Sequence, residues 1–134
     1  MSSKARAKHA QRLDALSMLG KDLTRRSRAH CELCHISGVK LASFEVAPIQ
    51  DVPDIEHTIF LCETCNDQLN KPKTIQPDHW HCLSVAVWSE VRPAQVVAVR
   101  MVKRLSGTIQ WAADLYEQVY LEPDVIEWID QGDI

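Results

Sequence analysis

Residues 31–34 read Cys-Glu-Leu-Cys and residues 62–65 read Cys-Glu-Thr-Cys, the same spacing twice. Two cysteines separated by two residues place their sulfurs on one side of a metal ion, and a second such pair completes a tetrahedral shell. The 27 residues between Cys34 and Cys62 leave room for two strands and a loop that carry the chain back to the ion. The expected ligand set is therefore Cys31, Cys34, Cys62 and Cys65. Zinc is the commoner occupant of a closed thiolate site, and iron is also accepted by soft sulfur ligands. Four thiolates leave no position for water or substrate, so the expected cofactor is one structural Zn2+.

Other uses of these cysteines fit less well. Five cysteines form an odd set, and two metal-type spacings point to a reducing compartment, the cytoplasm by default, rather than a disulfide framework. A thioredoxin-like redox motif calls for a single pair in a βαβ context. Iron knuckles of rubredoxin type normally carry glycine after the second cysteine, where this chain has His35 and Asn66. His30 and His35 flank the first pair and offer alternative ligands. With four cysteines in place, they read as surface residues.

Outward from the cysteines, residues 39–49 (VKLASFEVAPI) and 57–61 (HTIFL) are apolar and partly β-branched. They suit two short strands joined by the acidic, proline-containing loop 50–56. The polar stretch 66–71 (NDQLNK) suits a short helix, and Pro72 and Pro77 mark a connector. Before the first pair, residues 4–26 have helical periodicity. Leu13, Leu16, Leu19 and Leu23 fall near one face, Lys4, Lys8 and Arg12 form a stripe on another, and Gly20 is a point of breakage. After residue 78 the texture is helical again. Pro93 stands where a first turn tolerates it. Ala94, Val97, Ala98, Met101 and Leu105 recur at helical spacing, and Gly107 is a stop. Residues 109–120 repeat the pattern, and a last short helix starts at Pro123 and ends near Gly132. The expected fold class is α+β. It comprises a basic N-terminal helix at 1–28, a small zinc-ribbon or treble-clef-like β-hairpin module at 29–76, and a helical region of about three helices at 77–134 packed on that module.

Composition sets the outer bounds. Hydrophobic residues make up 46% and charged residues 25% of 134, a globular balance that argues against wholesale disorder. No apolar run approaches the length that spans a bilayer, and no apolar stretch follows the basic N-terminus as a signal peptide would require. Net charge is −3, unevenly spread: residues 1–30 hold eight basic and two acidic side chains, and the remainder seven and sixteen. A basic head on an acidic body suits a polyanion, or an acidic surface on its own or a neighbouring chain.

The order of features over residues 28–105 resembles the N-terminal region of PhnA-type proteins, named for an alkylphosphonate-utilisation gene cluster. The resemblance is carried by RAHCELCHISGVKLASFEVAPI, LCETCNDQL and the tract DHWHCLSVAVWSEVRPAQVVAVRMVKRLS. It implies a zinc-ribbon-like module at the start and lends no mechanism, because the family name records genetic neighbourhood. Many members also carry a small C-terminal β-barrel domain. This sequence ends at Ile134 without a counterpart, so no role of that domain is transferred. A fainter resemblance is to HNH nucleases, which share a zinc knuckle, a β-hairpin and a helix. Their general-base histidine belongs near the end of the first strand, where this chain reads Phe44-Glu45-Val46-Ala47-Pro48-Ile49. Neither Ala47 nor Pro48 can accept a proton or hold a cation.

Beyond the cysteine pairs, Asp78-His79-Trp80-His81-Cys82 is the densest reactive cluster. Thiolate catalysis needs such groups to converge, whereas adjacent residues rarely face one another. Trp80 and Cys82 are expected to pack at the junction of module and helices, with His79 or His81 bonding backbone carbonyls. A second metal on His79, His81 and Cys82 is the alternative. Arg100, Lys103 and Arg104 read as a solvated helix face rather than a phosphate clasp. Trp88, Trp111, Trp128, Tyr116 and Tyr120 fall on helical patterns and read as mostly core. The first functional expectation is a non-catalytic zinc-binding protein serving as a binding or scaffolding module for a protein partner or a second copy. The alternatives are a nucleic-acid binder using the N-terminal helix, and a hydrolase of a phosphonate or related ester using Cys82 with His79 and His81.

Overall fold

The computed structural model describes residues 2–134; Met1, the first residue of the expected 1–28 segment, lies outside the described residues. The N-terminal helical region is split where Gly20 suggested. Helix α1 covers Ser3–Met18, capped by the Ser2 hydroxyl accepting from the Ala5 amide, and α2 covers Gly20–Ser27. Of the leucine stripe, Leu23 is fully buried, Leu16 and Leu19 are half-buried, and Leu13 is exposed. No residue of α1 is buried. Helix α1 is held instead by Arg12, whose guanidinium bonds both Glu45 oxygens and the carbonyls of Gln50 and Asp51.

Arg28 and Ala29 take left-handed backbone angles and turn the chain out of α2 into the first cysteine pair. Strands β1 (Leu41–Glu45) and β2 (Thr58–Cys62) then form an antiparallel hairpin, with Leu41 opposite Cys62 and Glu45 opposite Thr58. The strands are shorter than residues 39–49 predicted, because Pro48 can donate no ladder bond and the chain turns away after Val46. Helix α3 (Glu63–Asn70) follows β2 without a linker, so it begins within the second cysteine pair. A knuckle, a hairpin and a helix in this order form a treble-clef-like α+β module, as the sequence led one to expect.

The C-terminal half is organised around one helix. Helix α4 (Leu83–Ala86) is a single turn, and α5 (Arg92–Leu105) buries Pro93, Ala94, Val96, Val97, Ala98, Val99, Met101, Val102 and Leu105. A helix apolar on nearly every side must be covered all round. Helices α4, α6 (Gln110–Gln118) and α7 (Pro123–Asp130) do so together with β2. The hydrophobic core runs without interruption from Cys31, Ile59 and Leu61 through Trp80 and α5 to Val125 and Ile129.

Two expectations about helix surfaces are corrected here. Arg100 is 4% exposed rather than solvated. Its Nε donates to the Ile129 carbonyl at 3.2 Å and its Nη2 to the Trp128 carbonyl at 2.6 Å. These lie at the C-terminal end of α7, where the Gln131 and Gly132 amides reach the same two carbonyls and the negative end of the helix attracts a cation. Gly132 permits the approach, since a Cβ there would stand 2.8 Å from Arg100 Nη2 and 2.9 Å from the Ala47 Cβ. Lys103 and Arg104 are solvated as expected. The aromatic residues are less buried than their spacing suggested. Trp88 and Tyr120 lie beyond the last residues of α4 and α6 and are 52% and 76% exposed, and Tyr116 is exposed on α6. Trp111 and Trp128 are half-buried, and Trp128 Nε1 donates to the Ala47 carbonyl at 3.0 Å.

Arg100→Met is expected to lower unfolding free energy by about 2 kcal/mol, because it removes the charged donor from two carbonyls that keep only their backbone amide partners. Arg100→Lys should recover part of the loss. Urea unfolding of the three proteins measures both, and an Arg100→Met variant as stable as the parent would refute the capping role.

Candidate metal centre

Local backbone bonding shapes each half of the site. In the first pair, the Cys31 amide donates to the Ile36 carbonyl and the His35 amide donates to the Cys31 carbonyl, both at 2.9 Å. This closes a tight knuckle. His35 adopts φ +66°, the left-handed conformation for which glycine is the usual choice, so a histidine meets the backbone demand that the glycine of iron knuckles meets. His30 Nδ1 engages the Arg28 carbonyl at 2.7 Å and His35 is exposed; neither belongs to the cysteine cluster. In the second pair, Cys62 ends β2 and caps α3, its Sγ accepting the Cys65 amide at 3.4 Å.

The sulfurs of Cys31, Cys34, Cys62 and Cys65 all lie within 4.8 Å of one another, and Cys34 Sγ is 3.6 Å from Cys62 Sγ. Tetrahedral thiolates about 2.3 Å from a zinc ion would be about 3.8 Å apart. Cys31, Cys62 and Cys65 are buried and Cys34 is half-buried, and none is in a disulfide. The four can together hold a metal ion.

Electrostatics favour a cation at their centre. A hydrogen bond from Cys65 draws the Cys31 thiol down to about 4, against the opposing effect of its burial. Burial pushes Cys34 up to about 12, with the Cys31 thiolate adding to it. Cys65 is driven upward by its hydrogen bond to Cys31, then by burial and the surrounding thiolates. Sulfurs crowded in a low-dielectric space cannot all ionise unless a positive charge is placed among them.

Glu32, inside the first pair, escaped the sequence reading. It is buried, and its carboxylate receives Arg26 through Nε at 2.9 Å and Nη2 at 2.7 Å, and the Phe60 amide at 2.8 Å. Arg26 also donates to the carbonyls of Ile55 and Thr58 at 2.6 and 2.7 Å. One ion pair thus fastens α2, the knuckle and β2 together. An acid between two paired cysteines, with an arginine six residues earlier, was the available signal.

The Asp78–Cys82 cluster is a 3-10 turn over Pro77–Cys82 whose side chains face different partners. His79 Nε2 lies 3.2 Å from Cys65 Sγ, correcting the expectation of a backbone carbonyl partner. His81 stacks on Trp111 with ring centres 4.6 Å apart, and Asp78 is exposed. Trp80 is fully buried and Cys82 half-buried, as junction packing requires. Cys82 Sγ is 3.7 Å from the His79 carbonyl, and burial, aided by the Cys31 thiolate, pushes its thiol up to about 11. Neither a thiolate triad nor a second metal shell is assembled there. Of the basic stripe, Lys4 and Lys8 are exposed, whereas Arg12 is committed to Glu45. No helix among the described residues is long and apolar enough to cross a membrane.

No protein-family model, curated protein or solved structure matches this chain.

Glu32→Ala leaves Arg26 charged without its carboxylate and is expected to cost about 3–5 kcal/mol in chemical unfolding; a cost below 1 kcal/mol would refute the role assigned to the pair. The metal centre also predicts a pH dependence of definite sign. Thiols whose protons are held in the metal-free protein must release them as the ion enters, so affinity rises with pH and falls on acidification. Release of at least the two protons held by Cys34 and Cys65 corresponds to at least about a hundredfold in affinity per pH unit near neutrality. Cobalt competition titrations at several pH values measure the slope, and a flat profile would contradict thiolate ligation.

Proposed function

We propose that this chain is a non-catalytic zinc protein of PhnA type, in which one structural Zn2+ on Cys31, Cys34, Cys62 and Cys65 staples a treble-clef-like module that serves, with its helices, as a binding or scaffolding unit. The convergence of four largely buried sulfurs from two distant segments carries this reading. Zinc is preferred to iron because it is the commoner ion of closed thiolate shells and needs no redox partner. The PhnA assignment rests on the sequence resemblance across residues 28–105. A saturated shell offers no open position for substrate, so the ion's work is to hold the fold. The strands are five residues each, too short to be stable as a lone hairpin. Structural zinc in small modules contributes on the order of 10 kcal/mol of folding free energy.

The hydrolase alternative is weaker on geometry, because His79, His81 and Cys82 have different partners and Cys82 is held as a thiol.

Elemental analysis of the purified chain should give one equivalent of zinc, and a chelator should lower its thermal unfolding midpoint by more than 15 °C. Cobalt substitution should give the intense visible bands of a tetrahedral thiolate site. Metal well below one equivalent in a protein that remains folded, or iron in its place, would overturn the zinc reading.

A further inference from the structure

The metal ligands come from the module, but one group poised on them comes from the helical half. His79 Nε2 lies 3.2 Å from the Sγ of Cys65, which is fully buried. Its placement is fixed from several sides. Gln68, one turn beyond Cys65 on α3, is buried, and its Oε1 accepts from the Gln76 amide and from Trp80 Nε1, each at 2.8 Å. Trp80 is fully buried with its ring edge-on to the His79 ring, centres 5.1 Å apart. The His79 amide donates to the Gln76 carbonyl at 3.0 Å. The 3-10 turn is therefore pinned to α3 by Gln68, and the pinning carries the imidazole to the sulfur.

We propose that His79 is an outer positioning residue of the metal centre, donating its Nε2–H to the Cys65 thiolate and so slowing loss of the ion. The inference rests on metal occupancy of the four cysteines. Once Cys65 is a metal-bound thiolate it has only lone pairs to offer, so the proton of this contact belongs to His79. Four thiolates around a divalent ion carry two excess negative charges, and donors to sulfur spread that charge. The Cys65 amide serves Cys62 in this way, and His79 supplies the equivalent for Cys65. It also shields the sulfur most deeply embedded in the pair from electrophiles that would attack it and free the metal.

The test uses the intact zinc-loaded chain with His79→Phe, which keeps a ring without the donor, and His79→Gln, which retains an N–H. Zinc release to a chromophoric chelator in the presence of a thiol alkylating agent should be about tenfold faster in His79→Phe. His79→Gln should stay close to the parent. Cobalt-substituted forms of all three should show the same four-sulfur spectrum, and nitrogen NMR of the zinc-loaded parent should find the proton on His79 Nε2. Equal release rates would overturn the proposal, as would a proton on Nδ1. A cobalt spectrum that changes with loss of the ring nitrogen would also overturn it, making His79 a ligand instead. If His79→Phe does not fold, the NMR result on the parent decides. A parent chain that binds no metal would remove the zinc reading itself, an outcome distinct from a bound ion indifferent to His79.

Discussion

Four sulfurs held within 4.8 Å of one another are the constraint on which this structure turns. Thiols brought so close with little water resist joint ionisation, and a cation at their centre reverses the sign of the problem. The cluster joins a knuckle that follows α2 to the junction of β2 and α3, closing a loop of residues that includes the whole hairpin. Closing such a loop limits the freedom of the unfolded chain. It also brings Leu33, Ile59 and Leu61 into a core that two five-residue strands would not gather alone.

Around that centre, a few buried polar contacts decide how helices attach. Arg26 with Glu32 ties α2 to the knuckle and β2. Gln68 with Trp80 ties α3 to the turn ahead of α4. Arg100 draws the end of α7 onto α5, and Trp128 reaches from α7 to the Ala47 carbonyl. Each joins elements that are separate in sequence and satisfies groups whose burial would otherwise be costly. The apolar core supplies the bulk of the cohesion, and these contacts select one arrangement of it. Helix α1 stands outside this scheme, with no buried residue and one bidentate arginine on Glu45 as its main anchor.

The same organisation bears on chemistry. The reactive side chains of the Asp78–Cys82 segment are spent on different neighbours: a metal-site sulfur for His79, an indole for His81 and a backbone carbonyl for Cys82. The segment is the joint between two packed halves, and its polar groups serve that joint.

The amino-acid sequence by itself determined the cysteine cluster, the hairpin between its halves and the succession of helices. Each of these is local in the chain: two residues between ligands, short apolar and partly β-branched runs for the strands, recurrence every three or four residues along α5. Only the tertiary structure decided the fate of side chains whose partners lie far along the chain. Arg100 reads from the sequence as part of a solvated face with Lys103 and Arg104, and the return of α7 made it a seam. Trp88 and Tyr120 have helical spacing but lie just past helix ends, where the register no longer points inward. His79 meets Cys65 because Gln68 holds a turn in place, and Glu32 is buried because Arg26 arrives from the preceding helix. Local periodicity reports what one element does to itself. A charge or a hydrogen-bond donor takes its meaning from whichever distant element closes over it.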